Sequence, residues 1–160
     1  MNAQEPTPTA PPTWRSGPFD ALSLRDLQFI YMARQAVFGL EQNCVYQDID
    51  GYDEVSVHLA AWSPQQAMPL AYARIVAPGV KYAEPSIGRV VTTVAARGTG
   101  LGRELMRRAI ALTTELYPHQ GIRISAQSRL EAFYGGMGFA SVGERYLEDG
   151  IPHTQMLLKN

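Results

Sequence analysis

Apolar residues first recur at helical spacing from Leu24, at Leu24, Leu27, Ile30, Tyr31, Val37 and Phe38. Ser23, with Asp26 three residues on, resembles a capping box and marks the start of that helix. Residues 41–54 break the period with a polar, acidic stretch. Three β-type runs then follow, at residues 55–62, 70–76 and 87–94, the last rich in β-branched side chains. They are close in sequence, so an antiparallel meander is the simplest pairing. A second helix is predicted over residues 100–117, with Leu101, Leu105, Ala109, Leu112 and Leu116 as its apolar stripe and Pro118 as its stop. A strand at 121–126, a short helix at 128–137, and strands at 139–145 and 154–158 complete the pattern.

The order is helix, three strands, helix, strand, helix, two strands, an α+β arrangement in one domain over residues 19–160. Residues 1–18 read as a tail. Pro6, Pro8, Pro11, Pro12 and Pro18 remove backbone donors and argue against regular structure there, although Trp14 could dock on the domain. A chain of 160 residues buries enough apolar surface to fold without staples.

The formal net charge is -1, which favours neither nucleic acid nor an anionic membrane as a partner. A lone cysteine, Cys44, can form no internal disulfide and suits a reducing compartment. The start of the chain lacks a basic segment followed by an apolar run, and no stretch approaches the roughly 20 apolar residues needed to cross a bilayer. These features lead to the expectation of a cytoplasmic protein. The three histidines and one cysteine have no metal-ligand spacing, so no metal is expected.

The most informative segment is Arg97-Gly98-Thr99-Gly100-Leu101-Gly102, set between a strand and a helix. Unpaired amides and the positive end of the helix dipole favour an anion there, and glycines let phosphate oxygens approach the backbone. A Rossmann fingerprint would place a third glycine where Arg103 or Leu105 stands, and no Gly-Lys-Ser or Gly-Lys-Thr of a Walker loop occurs. Alone, the segment could also be a glycine-rich turn without a ligand. Arg97, Gly100 and Gly102 match Arg/Gln-x-x-Gly-x-Gly/Ala, and the chain thereby resembles the GNAT superfamily of acyl-CoA N-acyltransferases. The resemblance implies an α/β sandwich with a central mixed, mostly antiparallel sheet flanked by helices. It also implies that Gly98, Thr99, Leu101 and the rest of the loop hold the CoA pyrophosphate, with Arg103, Arg107 and Arg108 adding positive charge.

The run Ala126-Gln127-Ser128 to Tyr134-Gly135-Gly136-Met137-Gly138-Phe139 is similar to the second GNAT motif, Tyr-x-x-x-Gly-Phe. That similarity implies that Tyr134 protonates the departing CoA sulfur. A phenol of pKa near 10 stays protonated at neutral pH, and giving its proton to a thiolate of ordinary pKa about 8.5 is uphill by only about 2 kcal/mol. By itself Tyr134 would read as a packed aromatic. Gln127 stands where many members carry asparagine, at the place of a pantetheine contact. The resemblance further implies oxyanion-stabilising amides from Thr92, Thr93 and Val94.

Further segments, among them Tyr46-Gln47-Asp48-Ile49-Asp50-Gly51, Ile87-Gly88-Arg89-Val90 and Glu148-Asp149-Gly150-Ile151-Pro152-His153, resemble the ElaA-like subfamily, which extends the match over about residues 22–158. It implies acetyl-CoA as acyl donor and an amine acceptor. Residues 41–54 hold five carboxylates and no Lys or Arg, and either attract a cationic amine or form a solvated acidic loop. Glu41, Asp48 and Asp50 are the contacts to expect if they line a pocket. His58 and Glu41 are candidate bases, since an ammonium must lose a proton before it attacks a thioester. His58 and His153 equally suit structural places in a strand and a turn. Arg74 and Arg89 lie among apolar neighbours and are expected to pair with the acidic segment. Cys44 is a candidate nucleophile or a buried thiol. A longer-chain acyltransferase akin to homoserine-lactone synthases, a CoA-binding regulatory module and a homodimer all stay open at this point.

Overall fold

A computed structural model describes residues 10–160. The elements in chain order are β1 (Thr13–Pro18), α1 (Leu24–Arg34), β2 (Ser56–Ser63), β3 (Gln66–Val76), β4 (Ser86–Thr92), α2 (Leu101–Leu116), β5 (Ile122–Gln127), α3 (Glu131–Gly135), β6 (Ala140–Glu148) and β7 (Ile151–Leu158). The strands form one mixed sheet in the order β1-β2-β3-β4-β5-β7-β6. Every neighbouring pair is antiparallel except β4 and β5.

The tail expectation needs correction at Thr13–Pro18, which pair with β2 from Thr13↔Trp62 to Pro18↔Val57. The prolines flank this stretch and Pro18 closes it, at a sheet edge where a missing N–H costs no ladder bond. Trp14 packs against the core, as the sequence allowed, and the Arg108 guanidinium lies 4.7 Å from its ring centre. Arg15 forms a paired contact with Asp26 of α1 at 3.0 Å. The earlier part of the tail, residues 1–9, lies outside the described residues.

Ser23 caps α1 as its sequence suggested, its Oγ accepting the Asp26 amide at 3.0 Å. The helix runs on as a π-helical segment, Gln35–Glu41, that buries Val37. β3 shows the period of two that places α1 and α2 on opposite faces. Ala71, Ala73 and Ile75 pack with Leu105, Met106 and Ala109 of α2, whereas Tyr72 packs with Ile30 and Val37. Burying a leucine as fully as Leu105 contributes about 1.5–3 kcal/mol. Among the described residues no helix is long and apolar enough to cross a membrane.

The β6–β7 turn uses Asp149 at φ 51 and Gly150 at φ 76, the pair of left-handed residues that a two-residue hairpin requires. A glycine is also required at Gly138, where φ is 99 and an added Cβ would lie 2.9 Å from Leu158 Cδ1. Gly138→Ala should therefore lower the unfolding free energy by about 1–3 kcal/mol in urea titrations. An unchanged midpoint would show that this turn carries no such strain.

Candidate functional site

β4 and β5 meet at one end only. Ser86 faces Arg123, and the Arg123 amide donates to Pro85 O at 3.0 Å. The Arg123 guanidinium locks that end, donating twice to Glu84 at 2.9 Å and to Gln155 Oε1 at 2.9 Å. Beyond this point no ladder pair joins the two strands. β4 is also bulged: Gly88 faces Arg74 and Val91 faces Tyr72, so Arg89 and Val90 together oppose Ala73. Arg89 sits at φ 50, a left-handed conformation that a side chain adopts only when its surroundings hold it there. Its guanidinium is held by Asp48 Oδ1 at 2.7 Å and Asp50 Oδ2 at 3.0 Å.

A cavity of about 290 Å³ fills the gap between the parted strands. Ile87–Val90 form one wall and Ile124–Gln127 the other, and Met106 and Tyr134 close it on the side of α2 and α3. Phe38, Cys44 and Tyr46 border it from the segment after α1, and Glu148 and His153 border it from the last hairpin.

The glycine loop lies open to solvent. Arg97, Gly98, Thr99 and Gly100 are exposed, and Gly98 and Gly100 take φ 75 and φ 80 with nothing within 4 Å of an added Cβ. Gly100 caps α2, and the first helical bond runs from Glu104 N to Gly100 O at 3.2 Å. The amides of the first helical turn thus lack partners within the helix. Gly102 precedes Met106 of the cavity wall by one helical turn, about 5–6 Å along the axis. Arg97 bonds Thr92 O at 3.2 Å and pairs with Glu41 at 2.6 Å. Arg107 and Arg108 are drawn to Glu104, with Arg108 Nε at 2.8 Å, whereas Arg103 has no carboxylate partner among the described residues.

Tyr134 has its ring buried edge-on against Phe133 and Phe139, with centroids 5.1 Å and 6.1 Å away. Its hydroxyl makes no hydrogen bond to the described residues, and burial pushes the phenol up to about 12. Gln127 ends β5 and reaches across the gap, its Nε2 donating to Gln42 Oε1 at 3.0 Å and its Oε1 accepting from Arg129 at 2.9 Å. Of the three amides expected to face an oxyanion, that of Thr93 already donates to Leu70 O at 2.9 Å. Thr92, Thr93 and Val94 lie past the cavity, and the strand wall is built instead from Ile87–Val90.

The acidic segment closes on arginines. Arg34 is fully buried and donates to Asp48 at 2.9 Å and Asp53 at 2.7 Å, and Arg74 reaches Asp50 at 2.7 Å and Asp53 at 3.1 Å. The expected pairing of Arg74 and Arg89 with this segment is therefore present. Of the expected acceptor contacts Asp50 does border the cavity and Asp48 does not, and the expectation of a free acidic surface needs correction, because both are paired with arginines of the chain. Arg34 was hidden in the sequence as one more polar residue at a helix end. Glu41 stands beside the glycine loop and does not border the cavity.

His58 must be set aside as a base. It is 2 % exposed, its Nε2 lies 2.8 Å from Asp53 O and its Nδ1 lies 2.7 Å from the Tyr72 hydroxyl. A carbonyl only accepts, so Nε2 carries the proton and Nδ1 accepts from Tyr72. Burial lowers the ring's pKa, and both nitrogens are committed away from the cavity. Burial likewise raises the Cys44 thiol, which leaves it a poor nucleophile. The described residues hold no group of three or more ligating side chains placed for a metal ion.

The last hairpin gathers groups for which the sequence pattern indicated only a structural place. Its register sets Tyr146 opposite His153, and β5 sets Gln127 opposite His153. His153 Nδ1 lies 2.7 Å from Ile151 O, Nε2 lies 3.4 Å from Glu148 Oε2, and the ring stacks on Tyr146 with centroids 6.0 Å apart. Ser125 Oγ donates to Glu148 Oε2 at 3.3 Å and also contacts the Tyr146 hydroxyl. Beside the ElaA-like resemblance of this run, the signal that could have found the pair is the Glu148–His153 spacing about an Asp-Gly turn, which forecasts a face-sharing pair once a hairpin is assumed.

A parted strand pair, a bulge on its glycine-loop side and a tyrosine at the cavity define an acyl-CoA transferase scaffold, and comparison agrees. Residues 32–160 match the family described as acetyltransferase (GNAT) domain, and the chain belongs to this family. Within it the chain is similar to Escherichia coli ElaA, at 38% identity over 145 residues, covering 89% of this chain and 94% of that protein. The crystal structure of Escherichia coli ElaA superposes with a TM-score of 0.86 at 36% identity, covering 92% of this chain and 99% of that one. An acyl-CoA N-acyltransferase from Pseudomonas aeruginosa superposes with a TM-score of 0.86 at 41% identity, covering 91% and 98%. The acyl-homoserine lactone synthase BjaI, at 13% identity, a TM-score of 0.72 and coverage of 92% and 84%, shares the fold alone.

Proposed function

We propose that the protein is an acetyl-CoA-dependent N-acetyltransferase of the cytoplasm that passes the acetyl group directly to an amine of a small molecule or peptide. The observation that carries this reading is the cavity between β4 and β5, with Tyr134 in its wall and the open glycine loop one helical turn away. The first-turn amides of α2, the loop from Arg97 to Gly102 and the unpaired Arg103 are the groups that would hold the pyrophosphate. The cavity's mixed lining, with Ile87, Val90, Met106 and Ile124 among polar groups and Gln127 in its wall, would suit a pantetheine arm, which carries both amides and methylenes.

Stabilisation of the oxyanion would fall to backbone amides of the strand wall, where the bulge at Arg89 and Val90 borders the cavity. Tyr134 holds its proton at neutral pH because burial raises its pKa. Removal from water inside that cavity would also raise the pKa of a departing thiolate, which narrows the gap between donor and acceptor. Tyr134 and residues of the last hairpin line the same cavity, which supports an amine meeting the thioester there without a covalent enzyme intermediate.

The test is thiol release from acetyl-CoA across a panel of primary amines, repeated with longer acyl chains. Amine-dependent release that is fastest with the acetyl donor is expected. CoA binding without release for any amine would identify a regulatory module, and preference for a long chain would move the donor class.

A further inference from the structure

Direct transfer needs a group that takes a proton from the incoming ammonium, and the candidates from the sequence do not serve. His58 is sealed, and Glu41 is paired with Arg97 outside the cavity. Asp50 is gripped by Arg74 and Arg89, and its carboxyl, which burial alone would raise, is instead held well below the usual range by those guanidiniums. Building on the acetyltransferase reading above, we propose that His153 is the general base of the transfer, accepting the ammonium proton on Nε2.

A carbonyl oxygen 2.7 Å from Nδ1 obliges that nitrogen to carry the proton, so a ring with one proton has its lone pair on Nε2, the nitrogen beside Glu148. The ring has little freedom, since it stacks on Tyr146 at 27° and its side chain is only 12% exposed. It borders the same cavity as Tyr134, on the side of the sheet gap formed by the last hairpin. Glu148 Oε2, 3.4 Å from Nε2, is the acceptor nearest to the proton that Nε2 takes up. The Glu148 side chain is 52% exposed, which gives the proton a way out to solvent. Ser125 holds that carboxylate from β5. The arrangement is a base oriented by one partner with a proton acceptor beside it.

The protons balance. The ammonium gives one proton to His153 Nε2 and becomes a free amine. The amine nitrogen bonds to the thioester carbon, the carbon–sulfur bond breaks, and the sulfur takes the Tyr134 proton. The second N–H proton of the new amide nitrogen restores the phenol, and His153 sheds its proton past Glu148. The sum is one ammonium and one thioester converted to one amide, one thiol and one proton.

Two acceptors separate a base from a structural residue. Benzylamine is an ammonium at neutral pH, whereas hydroxylamine is already a free base. In His153→Gln, benzylamine-dependent thiol release from acetyl-CoA should fall about 100-fold or more, while hydroxylamine-dependent release stays within about threefold of wild type. Equal losses with both amines, or no loss with benzylamine, would overturn the assignment. CoA calorimetry on the variant reports whether its fold survives. Should the variant lose CoA binding, the histidine ¹⁵N spectrum of the wild-type protein at the assay pH decides: a neutral His153 ring protonated on Nδ1 supports the base, and one protonated on Nε2 or on both nitrogens rejects it. If wild-type protein binds CoA yet turns over neither amine, the transferase reading itself falls, and the base with it.

Discussion

Asp53→Ala should destabilise the protein by about 3–5 kcal/mol, a large share of the about 5–15 kcal/mol that holds a domain together. The Asp53 carboxylate is 3% exposed and accepts from Arg34 at 2.7 Å, Arg74 at 3.1 Å and the Tyr31 hydroxyl at 3.4 Å. Arg34 and Arg74 are 0% and 1% exposed. Without Asp53, two desolvated guanidiniums share only Asp48 and Asp50, which lie nearer the surface. Removing one partner of a buried ion pair is costly because the other charge stays buried.

The pH dependence has a definite sign. Burial alone would raise the Asp53 carboxyl, but Arg34 and Arg74 outweigh burial and hold its pKa below the ordinary value, and the same balance applies to Asp50 with Arg74 and Arg89. A carboxylate with a lowered folded pKa gives stability that is complete above its unfolded value, about 3.9, and is lost as pH falls through the folded value. The wild-type urea midpoint should therefore drop steeply below about pH 4, and Asp53→Ala should show a lower midpoint at pH 7 with a shallower acid slope. A variant as stable as wild type at pH 7 would show that this network contributes nothing to folding.

Tyr134→Phe should lower the turnover number about 100- to 10,000-fold and leave CoA affinity unchanged. The ring keeps its contacts with Phe133 and Phe139, and the lost hydroxyl breaks no hydrogen bond to the described residues, so the fold should hold. With the phenol pushed up to about 12 by burial, Tyr134 stays protonated through the neutral and mildly basic range. Thiol release measured beside CoA calorimetry checks the split. Unchanged turnover in the phenylalanine variant would remove Tyr134 from the chemistry.

Much of the fold was legible from period and punctuation. The alternating strands and the amphipathic α2 lie close to their expected positions because local patterning and tertiary packing agree there. β1 was missed because its proline flanks suggest disorder, while its stability comes from pairing with β2, a partner some forty residues away that no local pattern reveals. The glycine loop was legible because helix-start chemistry is local. The acceptor side was not. Carboxylates at Asp48 and Asp50 read as a free acidic surface, since nothing in the sequence shows Arg34, Arg74 and Arg89 turning inward to meet them. His58 and His153 look alike in sequence, and only burial and partners separate a sealed ring from one at a cavity wall.

The account depends on a CoA diphosphate being held by the loop that starts α2. Calorimetric titration with CoA, on the wild-type protein and on Gly100→Val, measures this directly. Gly100 has φ 80 and open space around an added Cβ, so valine strains the loop and fills the approach to its amides. One site of micromolar affinity, about −8 kcal/mol, is predicted for the wild type, with at least about tenfold weaker binding in a variant that still unfolds cooperatively. No heat of binding at millimolar CoA, or equal affinity in the two proteins, would contradict it.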